Sequence, residues 1–297
     1  MTSLFRREPG FYRRLWVLTL PIVLQNLITT SLGFADTFMV GLLGNAEMAA
    51  VTAANVPVFI LQLVIFGFQS GLAVLVSQYW GRGDTDSINR CMGVALYAVT
   101  LFSLTVALFT FFLPAEVLRL VTPNEDLVAL GTSYIRIVGF ANIFNGISSV
   151  YAGMQRSTEN PRFGMILFAI SMCVNTFLNY VLIFGKFGAP HMGVTGAAAA
   201  TLISRIVEFA VALLYALRSR RIPLRRGVAV QFYGVGFLYN TLQSRSNRRG
   251  GRDTRIAEAE IKNAFFPYFR LALFAVFKYF ADNRTAHTQT HHFFVQH

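Results

Sequence analysis

The chain has 297 residues, of which 54% are hydrophobic and only 13% charged, with a mean hydropathy of +0.50 and a formal net charge of +12. Soluble domains carry charge on roughly a quarter of their residues, so this composition excludes an ordinary water-soluble globule and points to an integral membrane protein. Cys91 and Cys173 lie in or beside apolar stretches, and two isolated thiols make neither a disulfide framework nor a metal site.

A basic N-terminus, residues 1–14, carries Arg6, Arg7, Arg13 and Arg14. Six apolar stretches follow at 15–40, 51–78, 91–112, 130–151, 163–184 and 194–217, each near the roughly 20 residues that a bilayer-crossing helix needs. Long uninterrupted runs favour helices over the short alternating segments of a barrel. The first stretch is too long for a signal-peptide core and has no small-residue cleavage site, so it reads as a retained helix. The expected fold is therefore an all-α integral membrane bundle of six transmembrane helices over 15–226, followed by an atypical tail at 227–297.

Polar residues within these stretches are unevenly spread. The first contains Gln25, Asn26 and Asp36, with Pro21 near its start. A carboxylate at membrane depth is costly enough to suggest a site for protons, cations or substrate; the alternative is a helix-end aspartate that reaches interfacial water or caps a turn. Pro21 removes a backbone donor and is expected to bend the helix, as a hinge or to fit its neighbours. The second stretch holds Asn55, Pro57, Gln62 and Gln69, the fourth Asn142 and Asn145, and the fifth Asn175 and Asn179. Amides facing lipid would go unsatisfied, so Gln25, Asn26, Gln62, Gln69, Asn142 and Asn145 are candidates to line a wet cavity, or to bond one another as interhelical glue. Asn175 and Asn179, spaced i, i+4, share one helix face and can ligate a cation or bond a carboxylate from another helix. Arg205 and Glu208, spaced i, i+3, can pair; a structural ion pair near the cytoplasmic helix end is preferred to a substrate site. Gly67 and Gly71 mark helix packing, and Gly81-Arg-Gly83-Asp84 lacks the strand and helix context of a phosphate loop.

Basic residues alternate by loop. Arg82 and Arg90 follow the second stretch, Arg156 and Arg162 the fourth, and Arg218, Arg220, Arg221, Arg225 and Arg226 the sixth, while the opposite loops carry Glu47, Arg119 with Glu125 and Asp126, and Lys186. The positive-inside rule then puts the N-terminus and the end of the sixth helix in the cytoplasm of a multi-pass protein of the cell membrane. The net charge reflects this topology, and no soluble basic domain for nucleic acid appears before residue 227. No metalloprotease or nucleophile-elbow motif is present, and His191 is the one histidine before the final segment, so an enzyme is not expected.

Several separated motifs resemble the multidrug and toxic compound extrusion (MATE) transporters over roughly residues 15–220: Leu20-Pro-Ile-Val-Leu-Gln25-Asn26, Ala35-Asp36-Thr-Phe-Met-Val-Gly41-Leu-Leu-Gly44, Ser77-Gln-Tyr-Trp-Gly81-Arg-Gly83, Asn175-Thr-Phe-Leu-Asn179 and Gly193-Val-Thr-Gly196-Ala-Ala-Ala-Ala-Thr201. Each is loose alone; their order and spacing make the resemblance specific. It implies an antiporter of two six-helix lobes that exports organic, often cationic, drugs in exchange for sodium ions or protons, with no other cofactor. It also implies that Asp36, Asn175, Asn179 and Thr201 form a cation or proton site and that Pro21 is the hinge. Asn179 stands where some members have a second aspartate, which leaves the coupling ion open between sodium and protons.

A family member of about twelve helices at roughly 20 residues per span exceeds this chain, so only the N-terminal lobe is expected. The tail, with Arg245, Arg248, Arg249, Arg252 and Arg255, an aromatic run over 264–281, and His287, His291, His292 and His297, does not resemble a seventh helix. A frame change or gene disruption is the preferred reading, ahead of an interfacial amphipathic segment and a histidine metal site. Two functions follow: a half-transporter that works with a second copy or another half-transporter on a small organic substrate in the lipid bilayer, or a truncated, non-transporting membrane protein. A lipid-linked oligosaccharide flippase is a weaker alternative. The abundant phenylalanines, among them Phe34, Phe38, Phe59, Phe66, Phe140 and Phe144, suit a drug pocket but are read mainly as packing.

Overall fold

The computed structural model describes residues 11–219. The basic run beyond Arg218, the tail and its histidines, and Arg6 and Arg7 lie outside the described residues. Seven helices follow in order: α1 (Phe11–Gly41), α2 (Asn45–Gly81), α3 (Thr85–Phe112), α4 (Pro114–Arg119), α5 (Glu125–Ser157), α6 (Pro161–Phe184) and α7 (Gly193–Arg218). All but α4 are long and apolar enough to cross a membrane, and each matches one of the six expected stretches. Most are longer than the apolar runs: α2 begins at Asn45 rather than at residue 51, and α5 at Glu125 rather than 130. The extra turns carry polar residues that interfacial water accepts, so hydropathy alone misses them. The short α4, which the sequence reading did not anticipate, joins α3 to α5.

Helix ends follow local chemistry. Asp84 caps α3 by accepting from the Ser87 amide at 3.0 Å and its hydroxyl at 2.6 Å, and these bonds hold the Asp84 carboxyl below its usual range. Asn124 accepts from the Asp126 and Leu127 amides to cap α5. Pro114 and Pro161 occupy first-turn positions, where the missing N–H costs nothing. Gly185 ends α6 in the left-handed region with φ 63°. Arg119 ties α4 to α5 by pairing with Glu116 at 2.7 Å and Glu125 at 3.0 Å, all on the exposed surface.

At the centre stands α5, packed against α2, α3, α6 and α7, while α1 leans on α6. Glycines allow this closeness: a methyl group at position 146 would lie 2.8 Å from Val99 Cγ1, and one at 131 would lie 3.3 Å from the Ala50 carbonyl oxygen. Lipid tails are as apolar as leucine, so close backbone packing takes over from hydrophobic burial in holding helices together. Two apolar clusters result. One joins Leu61, Phe68, Met92, Leu96, Tyr151 and Leu167, and the other Val40, Val51, Leu118, Ile135, Ile183 and Ala198. Leu101, Leu104 and Leu108 on α3 are exposed at the perimeter, as expected of side chains that meet lipid.

α7 comes close to α6 at Gly196, where an added Cβ would sit 2.7 Å from the Leu182 carbonyl oxygen. Gly196→Val should therefore force these helices apart and lower stability by about 1–3 kcal/mol. A thermal melt of purified protein in detergent would show it as a lowered midpoint.

Candidate ion and substrate site

Asp36 lies one and a half turns before the end of α1, half-buried, on the side that meets α6. The i, i+4 spacing of Asn175 and Asn179 puts both amides on the buried face of α6 opposite it. Asn179 Nδ2 donates to Asp36 Oδ1 and to Asn175 Oδ1, the latter at 3.1 Å. In turn Asn175 Nδ2 reaches Thr201 Oγ1 at 3.4 Å and Ser204 Oγ at 3.5 Å on α7. Thr201 and Ser204 spend their own protons on the carbonyls of Ala197 and Thr201. A chain of hydrogen bonds thus crosses three helices from the carboxylate to α7.

The donors in this chain are used up, but acceptors remain. Asn179 Oδ1 is buried without a partner, on the same amide whose Nδ2 bonds the Asp36 carboxylate. Oxygen acceptors converging with a negative charge and lacking a donor suit a hard cation or a proton.

Asp36 opens onto a cleft of about 660 Å³ lined from α1, α2, α5 and α7 and by Phe168 of α6. Gln25, Asn26, Gln62, Gln69, Asn142 and Asn145 all line it, and so does Thr201; Asn175 and Asn179 stand behind its wall. Some are bonded within the bundle: Gln62 Nε2 reaches Asn142 Oδ1 at 3.5 Å, and Asn142 Nδ2 donates to the Val138 carbonyl at 2.9 Å. The Gln25 amide presses on α6 where Gly164 leaves room for it, and its buried oxygen has no partner. Pro21 is buried inside α1, which runs through it without ending.

Several cleft residues were missed in the sequence reading. Tyr134 donates to Asn55 at 3.3 Å beside Asp36, and Ser149 donates to Asn145 at 3.4 Å. Their signal is periodic: Tyr134, Val138, Asn142, Asn145, Ser149 and Arg156 recur at helical spacing and form one stripe of α5. Arg205 also lines the cleft. It pairs with Glu208 as expected, but at mid-length of α7 rather than near a helix end, and the Glu208 side chain is fully buried. Among the phenylalanines, Phe59 and Phe66 flank the cleft, whereas Phe140 and Phe144 pack on Phe111 and Phe209. Phe34 and Phe38 are exposed.

The sequence profile of the MatE family matches residues 21–181, more than half of the chain. The chain belongs to the MatE family. Its members are transporters rather than enzymes, and the chain is accordingly a multi-pass membrane protein. It is 28% identical over 223 residues to the probable multidrug resistance protein NorM of Thermotoga maritima, with 74% of this chain and 47% of the relative covered. To the probable multidrug resistance protein YoeA of Bacillus subtilis it is 27% identical, with 77% and 49% covered. The chain spans about half the length of the curated relatives it matches.

Solved structures show the same fold. A MOP superfamily transporter from Pyrococcus furiosus superposes with a TM-score of 0.69 at 18% identity, covering 88% of this chain and 52% of that one. An outward-facing multidrug resistance MATE family transporter gives a TM-score of 0.63 at 20% identity, covering 73% and 49%.

If the polar stripes keep the cleft wet, cysteines placed there should react with water-soluble thiol reagents. In a background with Cys91 and Cys173 replaced by serine, membranes carrying Gln62→Cys or Asn26→Cys should be modified by a charged methanethiosulfonate. Leu108→Cys, on the perimeter, should resist it; equal reactivity at all three positions would contradict a hydrated cleft.

Proposed function

We propose that this chain acts in secondary active antiport, exporting small organic, often cationic, compounds from the cell in exchange for sodium ions or protons. The observation that carries the reading is the Asp36 carboxylate, held by Asn179 on the wall of a polar cleft in a chain of the MatE family. The relatives' designation as probable multidrug resistance proteins supports drugs as the exported class.

In this reading the coupling cation binds at Asp36 with oxygens from Asn175, Asn179 and Thr201, and Pro21 is the flexible point of α1. Pro21 lacks an N–H, so the carbonyl one turn before it has no helical partner and α1 can bend there at low cost. Neutralising Asp36 removes the charge that holds α1 against the amides of α6, and so couples ion occupancy to the shape of the cleft. The alternation of basic loops supports an orientation with the N-terminus and the end of α7 in the cytoplasm.

The cleft has walls from α1, α2, α5 and α7 and from Phe168 of α6, with Phe59 and Phe66 exposed beside it. Transport needs a facing wall, which a second copy or another half-transporter would supply. The competing reading is a chain that keeps the lobe fold without transporting.

Asp36→Asn should abolish cation-coupled drug efflux while membrane insertion stays intact. Unchanged drug resistance in cells expressing this variant would remove Asp36 from the mechanism. Crosslinking in native membranes separates the two readings of the lobe: a product of twice the monomer mass, or one with another half-transporter, is expected for the antiporter. A strictly monomeric chain without efflux is expected for the non-transporting form.

A further inference from the structure

Glu208 has no part in the ion site described above, yet it is the most completely buried acid among the described residues. Its side chain is fully shielded; one oxygen accepts from Arg205 Nη1 and the other has no partner. A carboxylate in such a place is tolerated only while a positive charge stays beside it. That positive charge is not wholly committed to Glu208. Arg205 keeps 19% of its side chain exposed and lines the cleft that Asp36 also lines.

Three facts place Arg205 between the two acids. It stands one turn after Thr201 on the same face of α7, and helical side chains lean toward the helix N-terminus, here toward Thr201 and the Asp36 network. Arg205 and Asp36 both line the cleft, and Thr201, one turn before Arg205, is linked to Asp36 through Asn175 and Asn179. The other charged or titratable groups lining the cleft are Tyr134 and Arg156, both on α5, while α2 and α6 line it with amides and apolar groups. Arg156 lies 22 positions beyond Tyr134, roughly 33 Å along the helix, and so at the far end of the cleft.

We propose that Arg205 is a tethered counter-cation shared between Glu208 and Asp36: it docks on Glu208 while a cation or proton occupies Asp36, and it closes on Asp36 when that occupant leaves. Two carboxylates and one guanidinium leave a single negative charge, so one monovalent cation neutralises the set. When the occupant departs and Arg205 moves across, Glu208 takes a proton from cleft water and the set stays neutral in an apolar surround. The proposal rests on the reading of Asp36 as the ion site and adds Glu208 as its second acid.

Dicyclohexylcarbodiimide reacts with protonated carboxyls in apolar surroundings and gives a readout that needs no transport. Membranes holding the full chain are treated in sodium-free buffer, and modification of each acid is read by peptide mass spectrometry. Without sodium a proton is the occupant left to Asp36, and in the unsubstituted chain Arg205 divides between the two acids. In Glu208→Gln it loses its dock and closes on Asp36, whose modification should fall about ten-fold, because a paired carboxylate resists protonation. In the double variant Arg205→Gln with Glu208→Gln the competitor is gone, and modification should return to the level of the unsubstituted chain. Undiminished Asp36 modification in folded Glu208→Gln, or no recovery in the double variant, overturns the shared arginine.

If Glu208→Gln does not fold, Asp36→Asn asks the question from the other side. Arg205 then has one acid to serve and stays on Glu208, whose modification should fall by about ten-fold; unchanged modification of Glu208 overturns the proposal. A chain that shows these shifts but exports no drug keeps the shared arginine and loses the transport reading.

Discussion

A carboxylate at membrane depth must be solvated by the protein, because hydrocarbon offers neither water nor counter-ions. Asp36 meets that demand through Asn179, and the arrangement around it follows. Asn179 must point at α1, so Asn175 one turn earlier points the same way and reaches Thr201 and Ser204. α6 is therefore held between α1 and α7 by one continuous set of amides and hydroxyls. Gly196 allows α7 to come close enough to complete it.

Packing and polarity are separated within the same helices. On α5, Gly131, Gly139 and Gly146 bring the backbone against neighbouring helices, while Asn142, Asn145 and Ser149 face the cleft. The glycines make the centre of the bundle dense, since small residues are what let membrane helices attract one another by contact. The asparagines keep part of that centre wet. The Asp36 network thus has a firm back wall and a polar front.

The six spans are legible in the sequence because hydrocarbon demands long runs without charge, a requirement that Leu101, Leu104 and Leu108 meet visibly on α3. Their ends are not, since the first turns of α2 and α5 satisfy interfacial water with Asn45, Glu125 and Asp126, and hydropathy counts such residues as loop. α4 is six residues long, too short for a periodic signal. The stacking of Asn175 over Asn179 follows from spacing alone, but their meeting with Asp36 across 143 positions of chain does not; the family resemblance supplied that expectation. Tyr134 carries a largely apolar ring and passes for packing until its hydroxyl is seen on Asn55. Arg136 is a charge within the fourth apolar stretch, and its side chain is exposed on the flank of α5; a long side chain that leans toward the helix N-terminus can reach polar headgroups, so the run tolerates it.

The face of the lobe around the cleft is chemically mixed. The cleft lining comes from α1, α2, α5 and α7 and from Phe168 of α6, and the aromatic rings of Phe59 and Phe66 beside it are more than half exposed. Lipid against the Asn26 amide would strand its polar groups, whereas water against Phe34, Phe38, Phe59 and Phe66 would wet a broad apolar surface. Neither solvent suits both sets of residues. A protein wall suits both, covering the rings while leaving an aqueous seam over the amides. Folding of the lobe satisfies its glycine contacts and the chain of hydrogen bonds at Asp36, and leaves a face on which amides and aromatic rings stand side by side.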